Sequence, residues 1–281
     1  MIRILGNVFD SAELKQSFSP DSIERKVLEI MDSSSSTYSF NSVEQLKFEL
    51  SLRKSTVRAS VDLYRSGLSF RVFRESKCNE KYWERTEDGG FLLREGVSPA
   101  EAIEDIFARG SRYGTECATA MVIVFYKAVL DVFGRNLFDK VFTRINLMDW
   151  QHLDPKMGVD YHRAPMDFLP GDCRYFKNPD VDPVTPEWQG ENAIDLSNDK
   201  YYGHGMGIRT AEGIIEALNR HRKEGSETSA YPLTSVTRLG FKTLYTLYQS
   251  AGPSSAEETA PSPVTASRSG TGGGSPHYMQ W

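Results

Sequence analysis

Cysteine is scarce in this sequence: Cys78, Cys117 and Cys173 are the only three in 281 residues, and they stand far apart. That spacing builds neither a disulfide framework nor a zinc site, and the odd count leaves at least one thiol free. Long apolar runs are missing too. The longest, around Cys117 to Leu130, is broken by Lys127 and falls short of the roughly 20 residues that span a bilayer. The opening Met1-Ile2-Arg3-Ile4-Leu5-Gly6-Asn7 lacks the apolar stretch of a secretory signal. There is no excess of positive charge: the net charge is −5 and the Lys and Arg residues are scattered, which excludes an electrostatic footprint for nucleic acid. No internal repeat is present. The expectation is a soluble protein kept inside a cell, with no nucleic-acid or membrane partner and no metal or other cofactor.

A hydrophobic content of 39% is ample for a packed core, in one large domain or two small ones. Ser19-Pro20-Asp21 predicts a helix start, with Ile23, Val27, Ile30 and Met31 as its apolar stripe. Ser42, with Gln45 three residues on, is a capping box opening a second helix. Its predicted buried face is Val43, Leu46, Leu50, Val57, Val61 and Tyr64, and Gly67 stops it. The period then changes to two at Leu68, Phe70 and Val72. Residues 82–85 and 91–94 flank Asp88-Gly89-Gly90 as a hairpin, and Ser98-Pro99-Ala100-Glu101 opens a helix to about Ala108. Strands are predicted at 141–149 and 172–176, separated by an irregular excursion at 151–170. A hairpin of Glu191–Leu196 with Tyr201–Ile208 turns at Asn198-Asp199. Helices follow at Thr210 and around Phe241, Leu244, Leu247 and Tyr248. From Gly252 on, Ser, Pro, Thr, Gly and Ala predominate, so a catalytic domain over 1–250 and a disordered tail over 251–281 are expected.

The most apolar stretch, Gly114 to Phe125, reads as a buried helix that opens on Cys117. A cysteine in the first turn of a helix meets a partial positive charge that favours thiolate, the nucleophilic form. The alternative is a buried cysteine acting as a small hydrophobe. Such a helix packed on a later antiparallel sheet is the α+β layout of papain-like cysteine enzymes. The predicted hairpin brings Glu191 and His204 to the same end of adjacent strands, as candidate partners for the thiol. Either residue could instead be solvated or brace a turn. Glu116 beside Cys117 opposes the helix terminus by like-charge repulsion, unless it points away, is protonated or is itself a base. Cys173, between Asp172 and Arg174 on a strand, is the rival nucleophile, with a structural role favoured.

Segments 113–120 (Tyr-Gly-Thr-Glu-Cys-Ala-Thr-Ala), 171–179 (Gly-Asp-Cys-Arg-Tyr-Phe-Lys-Asn-Pro), 188–192 (Trp-Gln-Gly-Glu-Asn) and 204–208 (His-Gly-Met-Gly-Ile) stand in a telling order. With 48–53, 229–231 and 237–239, they resemble the bacillus spore transglutaminases, calcium-independent protein-glutamine γ-glutamyltransferases of the spore coat. The resemblance spans residues 1 to 248. It implies a papain-like (NlpC/P60-type) core and acyl transfer from a glutamine carboxamide to a lysine amine, releasing ammonia. By the same resemblance Cys117 is the nucleophile, Glu191 the acidic partner and Glu116 a partly redundant one. His204 falls at the family's site histidine, and Phe70, Trp150 and Trp188 match its aromatic substrate tunnel. Protein substrates of the spore coat are the implied partners, the mother-cell cytoplasm and then the coat the implied location, and the enzyme is expected to be a monomer. The 151–170 excursion departs most from the family, and the tail has no counterpart in it.

The expected mechanism has two covalent steps. Cys117 attacks the glutamine carbonyl, backbone N–H groups at the start of its helix hold the oxyanion, and a lysine amine resolves the thioester. The carboxyl base is expected to have its pKa raised by burial among Trp150 and Trp188. A cysteine peptidase or amidase (glutamine deamidase) on the same core is the alternative, and a non-enzymatic role in coat structure a third reading.

Overall fold

In the computed structural model, which describes residues 1–165 and 167–251, the chain begins with short elements. These are strands β1 (Ile2–Ile4) and β2 (Asn7–Val8), helices α1 (Ala12–Gln16) and α2 (Ile23–Ser33), and strand β3 (Tyr38–Phe40). β1 pairs with both β2 and β3, and Val27, Leu28 and Met31 of α2 share a small core with Ile2 and Phe40. α2 starts later than predicted. Ser22 is its cap, accepting the Arg25 N–H at 3.3 Å, so it is this serine, and not the Ser19-Pro20 pair, that satisfies the helix end.

Helix α3 (Val43–Arg65) starts as predicted. Ser42 Oγ accepts the Gln45 N–H at 3.1 Å, while Gln45 Oε1 accepts the Asn41 N–H at 2.6 Å. Its buried face is rotated from the predicted one: Val57 and Val61 are only half-buried and Tyr64 is exposed. Arg53, Thr56 and Ser60 go inside instead. An ion pair causes this, since the Arg53 guanidinium binds Glu49 and Asp172 at 2.9 and 3.0 Å. Hydrophobic periodicity carries no information about a charge neutralised by a partner 119 positions away.

Strands β4 (Ser69–Phe70), β5 (Trp83–Arg85) and β6 (Phe91–Leu93) precede helix α4 (Pro99–Ala108), whose cap Ser98 accepts the Glu101 N–H at 3.2 Å. Strand β7 (Gly114–Thr115) pairs in parallel with β4 and leads directly into helix α5 (Cys117–Phe133). Residues 120–126 of α5 are all fully buried. Helix α6 (Arg135–Val141) takes only Val141 from the predicted 141–149 strand; residues 142–145 are irregular, and only β8 (Asn146–Leu147) pairs, against β6. Leu137, Phe138 and Val141 all point inward at helical spacing. That periodicity, begun before Val141, overrides the alternation that starts at it.

The C-terminal half is β9 (Asp160–His162), β10 (Cys173–Lys177), β11 (Gly190–Asp195), β12 (Tyr201–Gly203), β13 (Gly207–Arg209), α7 (Ala211–Asn219), β14 (Tyr231–Arg238) and α8 (Phe241–Ala251). The strands form one antiparallel sheet in the order β13-β12-β11-β10-β14-β9. The sequence pattern does not predict β9 and β14: β9 has no buried residue and β14 no clean alternation. The predicted strand 201–208 is really a second hairpin, turning at His204-Gly205-Met206, with φ +97° at Gly205 and +80° at Gly207. α5 lies against α3 and against β11, which sets the N-terminus of the helix beside the sheet. Among the described residues no helix is long and apolar enough to cross a membrane. The predicted tail beyond Ala251 lies outside the described residues.

Candidate active site

Cys117 is the first residue of α5, half-buried on a cavity of about 1750 Å³. Its neighbour Glu116 is the helix cap: one carboxyl oxygen accepts the Ala118 N–H and the other the Thr119 N–H, both at 2.6 Å. The carboxyl therefore sits on the positive end of the helix and offsets it. The expected thiolate-favouring effect does not prevail. Burial first, then the charges of Glu191 and Glu116, push the Cys117 thiol well above its usual range. The side-chain and backbone N–H groups of Asn192 pull the other way, Nδ2 donating to Sγ at 3.6 Å.

Glu191 and Asn192 arrive together on β11, in register with Phe176 and Tyr175 of β10. The Glu191 side chain is buried, and its Oε1 has no hydrogen-bond partner among the described residues. A Cβ at Gly203 would stand 2.7 Å from that oxygen, so the glycine leaves the room the carboxyl occupies. Burial and then the Glu116 charge push Glu191 well above the usual carboxylate range, and the His204 backbone N–H only partly opposes this. Glu191 acts on Cys117 through charge, with no hydrogen bond between them. Each resists ionising while the other is charged.

His204 is buried in the turn after β12, where burial pushes its pKa down to about 4 and keeps the ring neutral. Nε2 faces the Ser69 carbonyl at 3.3 Å and must carry the proton; Nδ1, 3.1 Å from the Tyr202 hydroxyl, is then the acceptor. The imidazole braces β12 against β4, while the main-chain N–H of His204 faces Glu191. Cys173 is 2% exposed and does not line the cavity, whereas Cys117 does.

The model of the protein-glutamine gamma-glutamyltransferase family matches residues 1–248. The chain is 41% identical over 238 residues to proteins of that name from Bacillus mycoides (strain KBAB4) and Bacillus cereus (strain AH820), covering 84% of this chain and 85% of each of theirs. A solved transglutaminase from Geobacillus stearothermophilus, without its C-terminal extension, is 50% identical, with a TM-score of 0.69 over 76% of this chain and 100% of that one. This chain belongs to the protein-glutamine gamma-glutamyltransferase family. It is a transglutaminase on a mixed α/β fold, and protein cross-linking is the family's activity.

Of the aromatic residues singled out in this transglutaminase, Phe70 and Trp150 line the cavity. Trp188 does not: it stacks on His221 at 3.7 Å and packs on a separate cluster with Phe176 and Leu218. The 153–161 part of the excursion contributes Leu153, Val159 and Tyr161 to the cavity lining, as do residues Phe70 to Glu75. Tyr175 and Asn192, missed in the sequence, also line the cavity. Their signal was there in part, because a strand containing Glu191 must send Asn192 to the opposite face. Among the described residues no group of three His, Cys, Asp or Glu is placed to hold a metal ion.

Proposed function

We propose that this transglutaminase joins glutamine to lysine side chains through a thioester on Cys117, with Glu191 as the proton carrier. The observation that carries this reading is a cysteine that lines the cavity, under the charge of a buried carboxyl that is itself outside the cavity lining and has one oxygen free of any partner among the described residues. The cycle starts from the fraction of Glu191 that is ionised: Sγ attacks the carboxamide carbon as the thiol proton passes to that carboxylate. The tetrahedral intermediate collapses, the C–N bond breaks, and ammonia leaves with the Glu191 proton. A neutral lysine amine then attacks the thioester, gives its proton to Glu191, and displaces the Cys117 sulfur, which recovers that proton. Glu116 serves as a weaker substitute base, because using it means releasing two helix N–H groups. His204 positions Glu191, and the apolar walls at Phe70 and Trp150 limit hydrolysis.

The wider reading follows the resemblance to the bacillus spore enzymes. It comprises a papain-like core, calcium-independent activity as a monomer, synthesis in the mother-cell cytoplasm, and cross-linking of spore-coat proteins. Residues 1–250 form the catalytic domain, and 251–281 are an appendage to it, consistent with a family match that ends at 248.

The test is incubation with a glutamine peptide and a dansylated amine. Amine incorporation that is lost in Cys117→Ala supports the proposal. Deamidation or cleavage without incorporation overturns it in favour of an amidase or peptidase, and activity that depends on Cys173 in place of Cys117 overturns the site.

A further inference from the structure

We propose that Asn192 is the oxyanion donor of this transglutaminase, its side-chain N–H stabilising the tetrahedral intermediate built on Cys117; the inference rests on the reading of Cys117 as nucleophile. Amide groups at the start of a nucleophile's helix are the expected donors, and here two of them are taken. The N–H groups of Ala118 and Thr119 donate to the Glu116 carboxyl at 2.6 Å each. Recruiting them would mean breaking two charge-assisted hydrogen bonds in every turnover. What is left on the helix is the N–H of Cys117 itself, which no group among the described residues accepts.

The sheet supplies the other donor. Asn192 Nδ2 lies 3.6 Å from Sγ, and both residues line the cavity. The amide is held by a strand paired on both sides, with Tyr175 as its register partner on β10 and β12 on the far side of β11. When Sγ adds to the carboxamide carbon, the C=O electron pair moves onto oxygen, two bonds from sulfur. A donor already touching sulfur reaches that oxygen by a small side-chain rotation, and Cys117 N–H reaches it from the helix side. On collapse the pair returns to C=O and the C–N bond breaks, so Asn192 neither gains nor loses a proton. A neutral amide also suits a site already crowded with Glu116 and Glu191, where a third acid would oppose the growing charge.

The test compares acyl transfer with alkylation of Cys117 by iodoacetamide, which uses the same thiol but builds no oxyanion. In the full-length protein, Asn192→Ala is expected to lower kcat for amine incorporation by about 10²–10³-fold, with KM for the glutamine peptide within about threefold. Its alkylation rate at pH 8 is expected to fall no more than about tenfold, the cost of one lost hydrogen bond to sulfur. An unchanged kcat overturns the proposal. So does alkylation falling in parallel with kcat, which would make Asn192 a residue that positions the thiol. Asn192→Asp, nearly the same shape without the donor, keeps the test open should the alanine variant misfold, and wild-type turnover in it overturns the proposal. Failure of the underlying reading looks different: wild-type protein incorporates no amine, or Cys117→Ala still does.

Discussion

Asp172 and Glu191 are both buried carboxyls on neighbouring stretches of the same sheet, and the fold treats them in opposite ways. Asp172 precedes β10 and meets two guanidinium groups, Arg53 at 3.0 Å and Arg238 at 2.7 Å, and it also accepts the Leu169 N–H at 2.9 Å. Burial alone would raise its pKa, but Arg53 and then Arg238 outweigh burial and hold it below the usual carboxylate range. Glu191 on β11 has no cationic partner among the described residues to counter burial and is pushed the other way. Equal burial therefore does not mean equal chemistry. A fully paired acid ties elements together, here α3, the segment before β10, and β14. An acid left with an empty oxygen can still exchange a proton, at a cost in stability.

The largest expected effect is on catalysis. Glu191→Gln should lower amine incorporation by about 10²–10⁴-fold, the range for removing a proton-transfer group, while urea stability at pH 7 stays level or rises. A strongly destabilised but active Glu191→Gln would erase the contrast. Asp172→Asn should do the reverse, costing about 3–5 kcal/mol in urea denaturation because buried Arg53 keeps only Glu49 as a counter-charge and Arg238 loses its carboxylate, with the kcat of the folded enzyme nearly unchanged.

Gly203→Ala is a subtler probe. Its new Cβ would stand 2.7 Å from Glu191 Oε1, so the carboxyl must move. A drop in kcat of about 10- to 100-fold, read by the dansylated-amine assay, is expected from misplacing the proposed proton carrier.

The smallest effect is in how stability follows pH. Asp172 has a lowered folded pKa, so its contribution is present above the unfolded value near pH ~4 and is lost as the pH falls through the folded value. Glu191 has a raised folded pKa, so the folded state holds a proton the unfolded chain has released. Stability therefore declines as the pH rises from about 4 toward the folded value. Urea titrations across pH should lose the acid limb in Asp172→Asn and the rising-pH decline in Glu191→Gln.

Much of the fold is legible in the sequence alone. Ser42, Ser98 and Thr210 announce their helices because caps are local chemistry, and the apolar run after Cys117 predicts α5 because a helix buried all round needs no partner to be recognised. The pairing of β11 with β12 follows from one short turn. The strands β9 and β14 and the rotated face of α3 are not legible, since each depends on a residue far away in the chain. Trp188 shows the limit most clearly. It sits three residues from Glu191, yet the chain turns it onto His221, away from the cavity.

The sequence by itself determined that a cysteine would begin a buried helix next to a glutamate, and that Glu191 and Asn192 would travel on one strand. Only the tertiary structure decided what those neighbours do. Glu116 turns into the helix end and cancels its field, Asn192 meets the sulfur, and Glu191 is buried without a cation. Adjacency in sequence settles which groups are close. Electrostatics in a protein depends on which atoms face each other and how much water is left between them, and those are set when the sheet closes over the helix.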